Sequence, residues 1–215
     1  MGLRKLLGLS GRRFDSAAYW AKRYASGGNS GAGSYGRLAR FKADTINAFV
    51  RERSIQSVIE FGCGDGNQLR LADYPTYVGY DVAEPCIAHC RRLFSADPNK
   101  TFRQLNEYRG EAAELSLSLD VIYHLIEESI YADYMRRLFE AAERYVIIYS
   151  SCRDEAGTAV HVRHRQFTDW VDEHRGDWRL FKHIPNPYPL RDDPHNETFA
   201  DFYIFAKVPG RQDGA

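Results

Sequence analysis

The stretch Val58-Ile59-Glu60-Phe61-Gly62-Cys63-Gly64-Asp65-Gly66-Asn67 decides the fold. An apolar run carrying one acid leads into glycine at every second position, then into polar residues suited to a helix start. Glycine in such a turn permits positive φ and clears side chains from the path of a ligand approaching the backbone. A helix starting at about Asn67 would offer unpaired N–H groups and a positive dipole end. A second strand-like segment, Tyr77-Val78-Gly79-Tyr80-Asp81, ends in a carboxylate. Strand, glycine turn, helix, strand and acid in this order form the nucleotide-binding half of an open parallel sheet, with the acid on ribose hydroxyls.

The glycine spacing narrows the ligand. A dinucleotide site wants G-x-G-x-x-G, whereas here Gly66 comes one residue early and Asn67 takes the expected place. Glu60 would repel a pyrophosphate but suits a ligand with a cationic amino group. On these residues the chain resembles the class I S-adenosylmethionine-dependent methyltransferases, whose first motif is E/D-x-G-x-G-x-G and whose second ends in an acid. The resemblance spans roughly residues 57 to 151. It implies S-adenosyl-L-methionine as cofactor, held by Glu60, Gly62, Cys63, Gly64 and Gly66 of the turn and by Asp81 and Val82 after the second strand.

The chain of 215 residues is long enough for one substantial core, alone or with an added flap. Lys plus Arg equals Asp plus Glu at 29 each, so net charge points to neither a nucleic-acid nor a membrane partner. Cys63, Cys86, Cys90 and Cys152 show no metal-ligand spacing and read as buried thiols. No apolar run is long enough to cross a bilayer, and the residues from Met1 to Leu7 lack the pattern of a secretory signal. The expected location is cytoplasmic.

In order along the chain, residues 1–13 are short and basic. Phe14, Ala17, Ala18 and Ala21 recur at helical spacing to Tyr24, with Asp15 near the start. Residues 26–36 have the composition of a flexible linker. Two readings stand side by side: a tether between helices, or a lid that folds over a ligand. Leu38, Phe41, Thr45, Ile46, Phe49 and Val50 mark one face of a second helix ending near Arg53. Strands are expected at Ser57–Phe61, Thr76–Asp81, Thr101–Leu105, Glu114–Ile122 and Tyr145–Tyr149. Glu84-Pro85 opens a helix to about Phe94. Tyr131, Tyr134, Met135, Leu138 and Phe139 form the apolar stripe of another. A short helix follows around Phe167–Glu173, and Trp178–Ile184 and Phe199–Val208 read as a closing antiparallel pair.

Ligands of open parallel sheets sit beyond the carboxyl ends of the strands, where strand order reverses. Leu119, Asp120 and His124 fall there. The family resemblance implies that Asn106 or Glu107, ending the third strand, meets the adenine amino group. Methyl transfer demands alignment above all, and a hydroxyl acceptor also needs a base, for which histidine suits neutral pH. His124 is the first candidate; His164 and His161, beyond the fifth strand, are the others. A competing reading makes His161, Arg163, His164 and Arg165 an anion-binding cluster. No metal is expected, because the carboxylate-rich loop of metal-assisted relatives is not apparent.

The sequence therefore predicts an α/β, Rossmann-like class I methyltransferase fold. Its seven-stranded, mostly parallel sheet carries helices on both faces, with the last strand antiparallel. Residues 1–53 form an N-terminal helical flap with the Gly/Ser-rich lid, and residues 54–215 form the methyltransferase domain. The expected acceptor is a hydroxyl oxygen of a small molecule or glycan. No nucleic-acid partner is expected, since neither a basic patch with interleaved aromatics nor an Asn/Asp-Pro-Pro-Tyr/Phe tetrapeptide is present. Protein or peptide methylation, an NAD-binding oxidoreductase, and a non-catalytic cofactor-binding scaffold are the alternatives.

Overall fold

The computed structural model describes residues 14–155, 157 and 159–209, so the reading of residues 1–13 lies outside it. Along the chain come α1 (Ser16–Ala25), α2 (Gly36–Glu52), β1 (Ser57–Phe61), β2 (Thr76–Asp81), α3 (Glu84–Leu93) and β3 (Lys100–Gln104). Then follow β4 (Ala113–Leu119), α4 (Glu128–Glu140), β5 (Ala142–Ser150), α5 (Phe167–His174), β6 (Trp178–Ile184) and β7 (Asp201–Lys207). The strands form one sheet in the order β3-β2-β1-β4-β5-β7-β6. Neighbours from β3 to β5 are parallel, and β7 runs antiparallel between β5 and β6.

The parallel strands are apolar on both faces because helices cover both. Alternation sends Val58, Leu115, Leu117 and Ile147 toward α2 and α3. Ile59, Phe61, Val146 and Ile148 face α4 and α5 on the other side. The α4 stripe predicted from periodicity, Tyr131, Tyr134, Met135, Leu138 and Phe139, is the buried face of that helix. The α2 stripe likewise buries Leu38, Ile46, Phe49 and Val50, and with them Lys42.

Three sequence expectations are corrected. The helix expected from Asn67 is a single 3₁₀ turn, Gln68–Leu71. Only a few residues separate it from β2, and Pro75 forces the preceding residue out of helical conformation. The fourth strand stops at Leu119 instead of Ile122. Asp120 leaves it with φ 60° after a last sheet bond, Asp120 N to Tyr149 O at 2.9 Å, and Ile122–His124 is a 3₁₀ turn. Finally, the alanine face of α1 is not core: Ser16 is its one buried residue. Asp15 caps the helix through Ala18 N, and Ser16 donates its backbone N–H and hydroxyl to the Glu127 carboxylate. Contacts beyond its own apolar face thus hold α1. Among the described residues no helix is long and apolar enough to cross a membrane.

Glu60 of β1 is a titratable group buried inside the sheet. Glu60 is 5% exposed and accepts the Tyr77 hydroxyl at 2.6 Å. Burial pushes its carboxyl up to about 7, against the opposing pull of the Tyr77 bond and the nearby Lys42. The folded state therefore holds this proton more tightly than the unfolded chain does. Its contribution is present in full below about pH 4.5 and is lost as pH rises through about 7. The loss should amount to about 3 kcal/mol. Urea unfolding between about pH 5 and 8 should show it in the wild type, and Glu60→Gln should flatten the slope. Equal slopes in the two proteins would mean that Glu60 is not desolvated as described.

Candidate functional site

The carboxyl ends of β1 and β4 diverge where strand order reverses, and a cavity of about 490 Å³ opens there. The turn after β1 shapes its floor. Gly62 and Gly64 adopt φ of 87° and 56°, which L side chains resist. With these angles the backbone doubles back onto β2. Gly62 and Cys63 donate to Tyr80 O at 2.7 and 3.0 Å, and Gly64 N donates to Asp81 Oδ2 at 3.0 Å. Ala83 N holds the other Asp81 oxygen at 2.8 Å. Burial raises the Asp81 carboxyl, and these backbone donors oppose the rise.

Most residues predicted to meet a cofactor converge on this cavity. Glu60, Gly62, Cys63, Gly64, Asp81, Val82, Asn106, Leu119 and Asp120 line it. Gly66 and Glu107 do not. A Cβ on Gly66 would press on Cys90 Sγ and the Phe94 ring, so this glycine lets the turn close against α3. Glu107 accepts Gln104 N at 2.6 Å and faces Arg91 at 3.8 Å. Of the two polar residues after β3, Asn106 alone faces the cavity.

The charges of the wall follow a pattern. Lys42 pairs with Asp120 at 2.6 Å and Arg137 with Asp133 at 2.7 Å. Glu60 and Asp81 have no ion-pair partner among the described residues. The ligand-facing wall therefore carries uncompensated acid, which suits a cation and disfavours phosphate. Among the described residues no three His, Cys, Asp or Glu side chains gather into a cation site.

The three histidines separate. His124 lines the cavity, where its Nδ1 lies 2.9 Å from His161 O and its ring meets Trp20 and Tyr123. Because a carbonyl can only accept, Nδ1 carries the proton and Nε2 keeps a free lone pair. Burial lowers its pKa to about 4, so the ring is neutral near pH 7. His161 does not line the cavity; it is stacked between Tyr19 and His124. His164 is buried away from it, with Nδ1 at 2.6 Å from the Ser151 hydroxyl. The neighbouring arginines are committed. Arg165 donates to Leu125 O and Ile126 O, and both Arg163 and Arg165 reach Glu128. They brace the loop between β4 and α4, where the anion-binding reading would need them free.

The N-terminal segment contributes residues that the sequence reading passed over. Trp20 and Tyr24 of α1, Ser30 and Ser34 of the Gly/Ser-rich segment and Lys42 of α2 all line the cavity, as does Gln68 of the turn after β1. Ser30 and Asp65 bond reciprocally at 2.9 Å, Tyr35 donates to Asp65 at 2.8 Å, and Asn67 reaches Ser34 O at 2.6 Å. A Cβ on Gly64 would collide with Ser30 Oγ and the Tyr24 hydroxyl. One of these residues was legible: Lys42 lies four residues from both Leu38 and Ile46, in the middle of an apolar stripe.

No family model and no curated protein sequence matches the chain. Solved structures do. Magnesium protoporphyrin IX methyltransferase from Synechocystis PCC 6803, crystallised with bound S-adenosylmethionine, superimposes with a TM-score of 0.67 over 93% of this chain and 100% of that one, at 14% identity. The N-methyltransferase NodS from Bradyrhizobium japonicum WM9 gives 0.61 over 80% and 97%, at 12% identity. A small RNA methyltransferase gives 0.61 over 80% of this chain and 25% of its own, at 16% identity. The three are different kinds of methyltransferase. What they share with this chain is architecture: it has the seven-stranded, Rossmann-like fold of the class I S-adenosylmethionine-dependent methyltransferases.

Proposed function

We propose that the protein transfers a methyl group from S-adenosyl-L-methionine to a hydroxyl oxygen of a small molecule or glycan. The observation that carries this reading is the pair of buried carboxylates, Glu60 and Asp81, facing one cavity around a left-handed glycine turn, neither with an ion-pair partner among the described residues. S-adenosylmethionine brings a sulfonium, an ammonium and a ribose diol, and no phosphate. A dinucleotide fits less well. The single 3₁₀ turn after the glycines offers no helix dipole, and Glu60 in the cavity wall would repel pyrophosphate.

On this reading Asp81 accepts from the ribose hydroxyls while Gly64 N orients its carboxylate. Gly62 and Cys63 let the ligand lie against the backbone. Asn106 meets the adenine edge, and Val82 and Leu119 supply apolar walls. When bound, the cofactor supplies a methyl group activated by its positive sulfur. The protein's task is then to hold the acceptor in line and to take its proton. His124 suits the second role, with Nε2 free and Nδ1 fixed by His161 O. His161 braces that ring from outside the cavity. A small or glycan acceptor is favoured over a polyanion because Arg163 and Arg165 are tied to Glu128 and backbone carbonyls. The four cysteines are unpaired, which supports a reducing, cytoplasmic setting.

Asp81→Ala should weaken S-adenosylhomocysteine by roughly 2–4 kcal/mol, at about 1.5–3 kcal/mol for each charge-assisted hydrogen bond. Calorimetry measures this, and an unchanged dissociation constant would remove Asp81 from the ribose.

His124→Asn should cut turnover by about 10²–10⁴ while the affinity for S-adenosylhomocysteine stays nearly constant. Because the His124 pKa is lowered to about 4, the acid limb of the pH–rate profile should fall near 4 and not near 6.5. Wild-type turnover in the variant would end the histidine-base assignment.

We read α1 and residues 26–36 as a lid whose latch is the Ser30–Asp65 pair. Hydrogen exchange of residues 26–36 should slow on adding S-adenosylhomocysteine. Equal exchange in both states would leave a tether.

A further inference from the structure

The core does not explain the aromatic side chains of α1. Ser16 is the one buried residue of that helix, yet it carries Tyr19, Trp20 and Tyr24, all half-buried. Ser16, Ala17, Trp20 and Tyr24 share one helical face, and that face lines the cavity. The Trp20 ring centre lies 4.8 Å from that of His124, inclined at 66°, and 5.8 Å from that of Tyr24. A second layer backs this wall: Tyr19 meets Trp20 at 5.6 Å, and His161 and Tyr123 meet His124 at 5.5 and 4.4 Å.

An aromatic wall beside a base favours a flat acceptor. A half-exposed tryptophan keeps apolar area in water that a second ring would cover, and such ring pairs are favourable beyond the area they bury. Of the polar side chains on this wall, Ser16 bonds Glu127 and Tyr24 bonds Ser30, whereas His124 Nε2 keeps its lone pair. A sugar ring would bring several hydroxyls here, and each one desolvated without a partner is a cost. A phenol brings one. Basicity points the same way. A ring whose pKa is lowered to about 4 lies about 6 below a phenol, but about 12 below an alcohol that ionises as reluctantly as water. Proton transfer to His124 is therefore far less uphill from a phenol.

We propose that the methyl acceptor is a phenol, its ring laid on Trp20 and its hydroxyl directed at His124 Nε2. The phenolic oxygen bonds to the methyl carbon while its proton passes to Nε2. The carbon–sulfur bond breaks with its electron pair left on sulfur, so one positive charge is lost there and one is gained on the imidazole. An aryl methyl ether and S-adenosylhomocysteine result. Trp20 is then the residue that sets the acceptor class. The inference rests on the methyltransferase reading and narrows its acceptor.

Two probe sets decide the class: 4-methylphenol and 2-naphthol as arenes, methyl α-glucoside and methyl β-galactoside as sugars. With S-adenosyl-L-methionine present, mass spectrometry should find aryl methyl ethers from the arenes and no product from the sugars. Calorimetry on the protein loaded with S-adenosylhomocysteine reads acceptor binding without turnover. There Trp20→Leu should weaken 4-methylphenol roughly 10-fold, while Trp20→Phe, which keeps a ring, should weaken it less than about threefold. Affinity for S-adenosylhomocysteine itself should change less than about twofold in both variants. Methylation of the sugars, no product from either arene, or equal arene affinity in the wild type and Trp20→Leu overturns the inference. A wild type that fails to bind S-adenosylhomocysteine removes the methyltransferase reading, and this inference with it. Binding of S-adenosylhomocysteine without arene affinity removes this inference alone.

Discussion

The hydrogen bond from Gly64 N to Asp81 Oδ2 is the interaction on which the rest of the site depends. It forms because glycine adopts, without the cost a side chain would add, the positive φ that turns the chain back onto β2. That one bond joins the ends of two strands and orients a buried carboxylate. It also leaves the backbone bare on the cavity side. The parallel sheet around it serves to hold those two strand ends at fixed separation, which explains why both of its faces are covered and apolar.

Electrostatics inside the cavity follow from that arrangement. Among the described residues four carboxylates face it, and two of them have cationic partners. Burial raises the Glu60 and Asp81 carboxyls because a lone charge is expensive away from water. A cationic ligand would relieve both at once. The same desolvation keeps His124 neutral, so the cavity combines acids that favour a cation with a ring that can accept a proton. One physical cause, burial away from water, underlies these properties, and the α1 strap adds Trp20 and Tyr24 to the cavity wall.

The strap illustrates how far periodicity carries. Alanine spacing in α1 reads as an ordinary amphipathic helix, yet its alanines are not core and its anchor is Ser16 on Glu127. Similarly, the composition of residues 26–36 reads as flexible, whereas Ser30, Ser34 and Tyr35 bond to the glycine turn. Composition measures what a segment does alone, and these segments are held by contacts 30 or more residues away in sequence.

The sequence by itself determined the fold class, the run of strand, glycine turn and strand that ends in Asp81, and most of the cavity floor. Glu60, Gly62, Gly64 and Asp81 are legible because their roles depend on local backbone geometry and on spacing along adjacent strands. The stripes of α2 and α4 are legible because burial imposes a helical period. Tertiary structure alone decided which polar residues share the cavity. Asn106 and Glu107 are neighbours in sequence, yet only Asn106 faces it, because Glu107 is drawn to Gln104 N and Arg91. His124, His161 and His164 look alike in sequence but have different partners, set by where the chain returns after β5. The meeting of Lys42 with Asp120 brings together positions 78 residues apart. No local pattern encodes such a meeting, since it exists only once the helix and the strand end are packed.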